Sequence, residues 1–403
     1  MRNSYAANRM LVTKVTHMLN SLYIKNFRSL EDFQVIKLGR VNLIVGNNNS
    51  GKSSVLEALR IYAGSANRNL LVQIAGEHDE KTRPSNADEA DSELPFEAFF
   101  TGRKYPTDDE TPIFIGQTES DPNGLVIEHG LLVETEETDT DIENADLFGG
   151  SIVRTVLRRA LKSDLDALSR GSLSQALFVK RGGRVFRLRF DSVESRYRPS
   201  LGELAPALSC SVVPTQFVSI EDLSDEWDKI VLTPYQDIVR QALRIIEPNF
   251  EDLAFVKNAD RNGATRGRSV KVRLSSQPRP LPLNSMGDGM LRILQLILKV
   301  FSAKDGILLI DEFENGLHYS IQSKVWELLF ELAVKLNIQV FATTHSWDCI
   351  ESFAKTAIDK KDVEGVLFRV GRSVRSKDKG RVIATVFDES QLSHITQADV
   401  EVR

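Results

Sequence analysis

Three short apolar runs stand out along the chain: Val41-Asn42-Leu43-Ile44-Val45, Gly306-Ile307-Leu308-Leu309-Ile310 and Ile338-Gln339-Val340-Phe341-Ala342. Runs this short and this unbroken predict strands buried on both faces, as in a parallel sheet. Helical spacing follows the first run, where Ser54 to Arg60 reads as the opening turns of an amphipathic helix, and precedes the second, from Ile293 to Phe301. From Trp227 to Glu247, the apolar residues Leu232, Tyr235, Ile238, Val239, Ala242, Leu243 and Ile246 recur at helical intervals and predict helix. Val153 to Leu161 reads as a helix with a basic face. Alternation predicts strands at Ser269–Leu274 and a hairpin over Arg181–Phe190 that turns at Gly182-Gly183. Ile113–Ile115, Leu125–Ile127 and Leu131–Val133 are also strand-like. After the third run come a helix around Asp348–Ala354, strands near Gly365–Val370 and Arg381–Phe387, and a polar tail. No sustained heptad pattern occurs, which excludes a long coiled-coil arm.

Each of the three runs ends in residues that carry chemistry. The first enters Gly46-Asn47-Asn48-Asn49-Ser50-Gly51-Lys52-Ser53, followed by Ser54, which fits the G-x-x-x-x-G-K-[ST] phosphate loop at every fixed position. Its glycines let the backbone curl so that N–H groups face phosphates, and the following helix N-terminus favours anions. In that setting Lys52 reaches the β- and γ-phosphates and the Ser53 hydroxyl binds Mg²⁺. The second run ends in Asp311-Glu312. Adjacent carboxylates at a buried strand end are costly without a metal or donors to satisfy them. Asp311 suits the Mg²⁺ shell, and Glu312 suits orienting or deprotonating an attacking water. The third run ends in Thr343-Thr344-His345-Ser346, where His345 is placed to hydrogen-bond a γ-phosphate or the water. A fourth stretch, Ser285-Met286-Gly287-Asp288-Gly289, opens the helix before the Asp311 strand. By itself it reads either as an anion site or as an ordinary N-cap with a glycine turn.

The order of strand, phosphate loop, long insertion, S-x-G-x-G at a helix start, apolar run with Asp-Glu, then T-T-H-S resembles the ABC-type ATPase heads of the SMC, RecF and OLD families. It is most similar to the standalone bacterial AAA-family ATPases related to OLD proteins. Ile24-Lys25-Asn26-Phe27-Arg28-Ser29-Leu30 resembles the N-terminal strand of RecF- and SMC-like heads, and Phe313 to His318 resembles the stretch that crosses their dimer interface. The likeness is good over residues 20–63 and 280–350 and poor between them. It implies an α/β P-loop head, a mixed sheet flanked by helices, interrupted by a large inserted helical and β lobe. It also implies that Ser285, Gly287 and Gly289 cap the γ-phosphate held by a second copy. The glutamine that usually couples nucleotide to the inserted lobe has only a weak candidate, Gln117, as a further Mg²⁺ contact.

Composition agrees with a globular ATPase. The chain has 403 residues, 41% hydrophobic and 27% charged, enough for two or three lobes. No run is apolar enough to span a bilayer. Cys210 and Cys349 are the only cysteines, so neither a disulfide framework nor a cysteine zinc site is implied, which fits the cytoplasm. The net charge of -5 is unevenly spread. From Glu77 to Asp146 there are 21 acids against 4 Lys or Arg, and from Ser151 to Arg198 there are 12 Lys or Arg against 4 acids. The acidic segment, with a solvated loop at 84–91, is expected to complete the antiparallel part of the head. The basic segment and a second basic stretch at 257–279 suit a nucleic-acid backbone, an acidic partner, the chain's own acidic lobe or plain solvent. No base-reading module is evident.

The expected organisation is an extension at 1–20, the phosphate-loop half of the head at 21–150, an inserted lobe at 151–255 and the second half of the head at 256–403. OLD proteins carry a Toprim nuclease domain after the ATPase, with a D-x-D that this chain lacks after His345, so no nuclease is expected here. The resemblance then implies an ATP- and Mg²⁺-dependent homodimer, or a higher homo-oligomer, that regulates a separately encoded effector. Standalone ATPases of this appearance belong to antiphage systems of the OLD, Septu or PARIS kind, whose effector is commonly a nuclease. The alternative is a RecF-like repair ATPase that contacts DNA non-specifically.

Overall fold

The computed structural model of the chain describes residues 18–80, 96–106, 111–139, 152–160, 173–190, 208–259, 265–378, 380–387 and 392. Residues 1–17 of the extension expected at 1–20, the loop at 84–91 and most of the polar tail lie outside these residues. The first half of the chain runs β1 (Leu22–Phe27), β2 (Leu30–Val35), β3 (Val41–Val45), α1 (Lys52–Ala63), α2 (Arg68–Glu77), β4 (Ile113–Gly116), β5 (Leu125–Asp139), β6 (Ile152–Arg159), β7 (Leu173–Arg181) and β8 (Arg184–Arg189). A middle part follows with β9 (Cys210–Val213), α3 (Ile220–Asp228), α4 (Tyr235–Leu243), β10 (Phe250–Ala259), β11 (Thr265–Leu274) and β12 (Leu281–Pro282). The last part is α5 (Asp288–Ser302), β13 (Ile307–Ile310), α6 (Tyr319–Lys335), β14 (Gln339–Thr343), α7 (Trp347–Asp359), β15 (Gly365–Arg372) and β16 (Val382–Phe387).

These strands make three sheets. The sheet that positions the site has the order β16-β15-β3-β14-β13-β9, parallel throughout except for β16. Its central strands are buried on both faces, as their unbroken apolar runs predict, and alternate residues enter different cores. Leu43, Leu308, Ile310, Val340 and Ala342 join one core with the helices α5, α6 and α7. Ile44, Ile307, Leu309 and Phe341 join the other, with α1 and the antiparallel sheet. On the first side Trp326 stacks on Phe313 at 3.8 Å and meets Phe353 edge-on at 5.0 Å.

The antiparallel sheet, β2-β1-β4-β5-β7-β8 with β6 also on β5, covers α1. It corrects one expectation. The stretch read as a basic amphipathic helix from Val153 is strand β6, in register with β5 from Leu132 to Asp139. Ile152, Val153, Thr155 and Val156 are β-branched, and their stiff χ1 favours the pleated surface over the helix. An expected boundary at 150 therefore falls between two paired strands, and one at 256 falls inside β10. The hairpin at Gly182-Gly183 is present, with Arg181 opposite Arg184. The helix expected from Trp227 to Glu247 is divided into the end of α3 and all of α4. Between them Leu232 has φ 63 and Pro234 disfavours helix at the residue before it. The small sheet β10-β11-β12 then delivers the chain to α5.

A polar cluster ties α1 to α2 and the β1–β2 turn. Arg28 Nε lies 2.6 Å from Glu57 Oε2 and its Nη1 lies 3.0 Å from Glu80 Oε1, while His78 Nε2 lies 2.6 Å from Glu57 Oε1. The bond to Glu57 raises the His78 pKa above its ordinary value, against the opposing effect of burial. A raised folded-state pKa adds stability that is complete below the unfolded value of about 6.5 and is lost as pH rises through the folded value. Because the histidine is partly exposed, the contribution is expected to be at most about 1 kcal/mol. Melting temperatures at pH 6 and pH 8.5 check this: the difference should shrink in His78→Asn, and an unchanged difference would remove His78 from the account.

Candidate functional site

The C-terminal ends of β9, β13, β14 and β3 lie side by side, which is where parallel sheets place ligands. From β3 the chain enters the phosphate loop through Gly46, whose φ is 146. A Cβ there would stand 2.2 Å from the carbonyl oxygen of Val370, so only glycine fits. Asn47, Asn48 and Asn49 are exposed on the loop, and Ser53 is exposed on the first turn of α1. Gly51 caps α1 without a side-chain acceptor for its amides. In contrast, side chains cap α2, α3, α6 and α7, namely Asn67, Ser219, His318 and Ser346. The α1 terminus thus keeps orphan donors aimed at an anion.

Lys52 is buried. Its Nζ donates to the carbonyls of Gly46 at 2.8 Å and Asn47 at 2.9 Å, and lies 3.4 Å from His345 Nδ1. Desolvation lowers its pKa, opposed by the charges of Asp311, Glu312 and Glu314. An ammonium has no lone pair, so Nδ1 of His345 is the acceptor, which leaves the imidazole proton on Nε2. That Nε2 lies 3.7 Å from Glu312 Oε1. Lys52, His345 and Glu312 therefore form one continuous line across the ends of β3, β14 and β13.

The Asp311 carboxylate is held by two hydroxyls: Thr343 donates to Oδ1 at 2.7 Å and Thr215 donates to Oδ2 at 2.9 Å. Thr343 Oγ1 also accepts from the Glu312 amide at 2.9 Å, so one side chain fixes both acids. Glu312 itself sits at φ 48, a left-handed conformation that costs a non-glycine residue roughly 1–3 kcal/mol. Arg292 supports this turn from beneath. It is 0% exposed and donates to the carbonyls of Pro214 at 2.6 Å, Asp311 at 2.9 Å and Glu312 at 2.9 Å. Burial pushes its guanidinium down to about 10, against the opposing charges of Asp311, Glu314 and Glu312. Glu314 ties the next segment to the histidine loop, accepting from the amides of His345 at 2.8 Å and Ser346 at 3.1 Å.

The phosphate-loop residues, Asp311, Glu312 and His345 named from the sequence are thus brought together. Ser285, Gly287 and Gly289 are not. Ser285 is exposed, with its hydroxyl bonded to the Pro282 carbonyl at 2.7 Å, and lines neither cavity beside the phosphate loop. Gly287, at φ 86, opens α5 with no side-chain cap. Like the α1 terminus, this one lacks a side-chain cap. Gln117 does not join the site either: its side chain accepts from the Asn20 amide at 3.0 Å, and it lines neither of those cavities. Four supporting residues escaped the sequence reading: Thr215, Thr343, Arg292 and Glu314. Thr343 had a local signal, a hydroxyl at the end of the third apolar run, and Thr215 a weaker one, a polar residue shortly after Val212-Val213.

The donor set fits Mg²⁺ and a nucleotide. Asp311 and Ser53 offer the hard oxygens that Mg²⁺ takes, and Lys52 with the uncapped α1 amides faces phosphate oxygens. A cavity of about 330 Å³ between Gly46–Asn48 and Thr344-His345 borders this line of residues.

Residues 18–177 match a family described as "AAA ATPase domain", and residues 179–348 match one described as "AAA domain, putative AbiEii toxin, Type IV TA system". Each match covers less than half of the chain, and both families carry AAA-domain descriptions; the fold on which they fall is a mixed α/β one with a phosphate loop at the end of β3. A Helicobacter pylori protein described as an ATP/GTP phosphatase is 22% identical over 349 residues, 83% of this chain and 87% of its own length. An uncharacterised Methanocaldococcus jannaschii protein is 44% identical over 45 residues, 11% of this chain and 20% of its own. Among solved structures, the SMC head domain of Thermotoga maritima covers 92% of this chain and 99% of its own at 14% identity, with a TM-score of 0.38. An SMC head bound to the C-terminal winged-helix domain of ScpA covers 92% and 98% at 12% identity, with a TM-score of 0.44.

Proposed function

We propose that this ATPase domain hydrolyses ATP with Mg²⁺ in a sandwich of two copies, and that nucleotide-driven closure controls a separately encoded effector protein, a nuclease, in bacterial antiphage defence. The observation that carries the reading is how the parts divide. Lys52, Asp311, Glu312 and His345 converge within one chain, whereas the uncapped turn from Ser285 to Gly289 lines neither cavity beside its own phosphate loop. A γ-phosphate on the loop is then left open on one side, and the turn of a second copy closes it.

In this mechanism the phosphate-loop amides from Gly46 to Ser54 and Lys52 bind and orient the phosphates. Ser53 and Asp311 hold the Mg²⁺, which when bound neutralises charge on the phosphate oxygens. Glu312 orients the water and takes its proton at a carboxylate oxygen. His345, with its proton on Nε2, spans Glu312 and the γ-phosphate. Closure excludes water and strengthens each of these interactions. The name of the Helicobacter relative supports hydrolysis, and the toxin–antitoxin description of the second family match supports a defence setting.

If two chains are needed, specific ATPase activity must rise with protein concentration, and mass photometry must show a two-chain or larger species with Mg-ATP. Activity flat across a hundredfold dilution, with a monomer mass throughout, would sink the sandwich. Co-purification from the native host, with and without phage infection, tests the effector, and recovery of the chain alone would count against it. For the DNA-repair alternative the basic segments are the relevant feature. Much of their described charge is spent internally: Arg159 and Lys180 on Glu128, Arg268 on Asp228, and Arg273 on Glu251. That favours a protein partner. Stimulation of ATPase by DNA ends or gaps would reverse the preference.

A further inference from the structure

A second, larger cavity of about 760 Å³ opens on the other flank of the phosphate loop, between Asn47–Ser50 and the hairpin of β15 and β16. This size falls within the range of small-molecule sites, roughly 300–1,000 Å³. Its wall carries Arg369, Arg372 and Arg375, and among the described residues no carboxylate lines it. None of the three arginines makes an ion pair among the described residues; Arg372 reaches only the Gly380 carbonyl, at 3.3 Å. The neighbouring acid Asp378 is already engaged by the Ser373 hydroxyl at 2.6 Å. Positive charge gathered in a concave wall without a counter-charge is a standing anion site, because the concavity focuses its field.

Two further features point to an occupant. The Ser50 Oγ is buried, belongs to the cavity wall and has no hydrogen-bond partner among the described residues. A buried hydroxyl in that state calls for an acceptor or a donor from outside. Val374, fully exposed at the hairpin tip, and Ile383 give the same cavity an apolar edge. Register pairs Arg369 with Thr385 and Gly371 with Ile383, so arginine and isoleucine lie on one face of the hairpin.

We infer that this cleft binds a phosphorylated organic anion, its phosphates on Arg369, Arg372 and Arg375 and its apolar part against Val374 and Ile383. Because Asn47–Ser50 wall both the cleft and the nucleotide site, occupancy of one alters the other. The anion has two possible sources: a separate phosphorylated effector, or a further part of the nucleotide on the loop.

Inorganic tripolyphosphate is the probe, read by calorimetry in Lys52→Ala and in Lys52→Ala combined with Arg372→Gln and Arg375→Gln, both solvent-exposed positions. A separate site predicts that Lys52→Ala binds the probe and that the arginine changes weaken it at least tenfold. If Lys52→Ala does not bind it but the two arginine changes weaken ATP at least tenfold in the otherwise unaltered chain, the cleft belongs to the nucleotide on the loop. Arginine changes that leave both affinities within twofold overturn the inference. Using Lys52→Ala to empty the loop rests on the proposed nucleotide site. If Lys52→Ala left ATP affinity intact, that reading would fail, and the effect of the two arginine changes on tripolyphosphate affinity would alone decide the cleft.

Discussion

Glu312→Gln is expected to slow ATP turnover by about 10²–10⁴-fold, the usual contribution of a positioned general base, while leaving nucleotide binding close to wild type. The amide occupies the same volume and still hydrogen-bonds, but it does not take a proton at neutral pH. Nothing else in the turn need move. Its shape is set by the Thr343 hydroxyl on the Glu312 amide and by Arg292 on the Glu312 carbonyl, both backbone contacts. Binding rests on the phosphate loop and Lys52, which the change does not touch. The variant is therefore expected to accumulate as an ATP-loaded, two-chain species, visible as a mass shift with Mg-ATP that persists far longer than in wild type. Turnover within twofold of wild type would mean that Glu312 is not the base.

Arg292→Met is expected to cost about 2–5 kcal/mol of stability, from the part-buried carbonyls of Pro214 and Asp311 left without this donor at roughly 1–3 kcal/mol each, the Glu312 carbonyl keeping the Asn315 amide at 3.1 Å, less the relief of no longer burying a cation. It is also expected to depress kcat. Two of those carbonyls belong to Asp311 and Glu312, and Glu312 already occupies a left-handed backbone conformation that its surroundings must enforce. Arg292 lies on α5 one turn past Gly289, so the helix that begins with the uncapped turn ends its first turns beneath the catalytic acids. Urea midpoints separate the stability effect from the kinetic one, and kcat measured at a denaturant-free temperature well below the transition reports the turn. A variant as stable as wild type with unaltered kcat would show that the buried guanidinium is only packing.

The sequence made the central sheet legible because its strands are short, unbroken apolar runs and the chemistry sits at their ends. Val41–Val45, Ile307–Ile310 and Gln339–Thr343 form as expected, and Lys52, Asp311, Glu312 and His345 meet across them. What stayed hidden depends on pairing at a distance. Ile152–Arg159 could be read as helix or strand, and only β5 opposite decides it. Thr215 and Arg292 look ordinary in sequence, since their role depends on which carbonyl or carboxylate another segment places beside them. The side-chain target of Gln117 is likewise set by Asn20, 97 positions away.

The sheet order has a consequence for the timing of synthesis. β3 is completely buried, yet both its neighbours in the sheet, β14 and β15, lie near the other end of the chain. Roughly 290 residues separate Val45 from Gln339. At about 5–20 residues per second, a ribosome needs on the order of 15–60 s to cover that distance. For that interval a bare hydrophobic strand with two unpaired edges waits in the nascent chain, and the phosphate loop exists without its acids. Of its eventual cover, only the early antiparallel strands and α1 are available to shield it. A chaperone that holds such strands would find this protein a long-lived client during translation, and slowing translation before residue 339 is expected to increase aggregation more than slowing it afterwards.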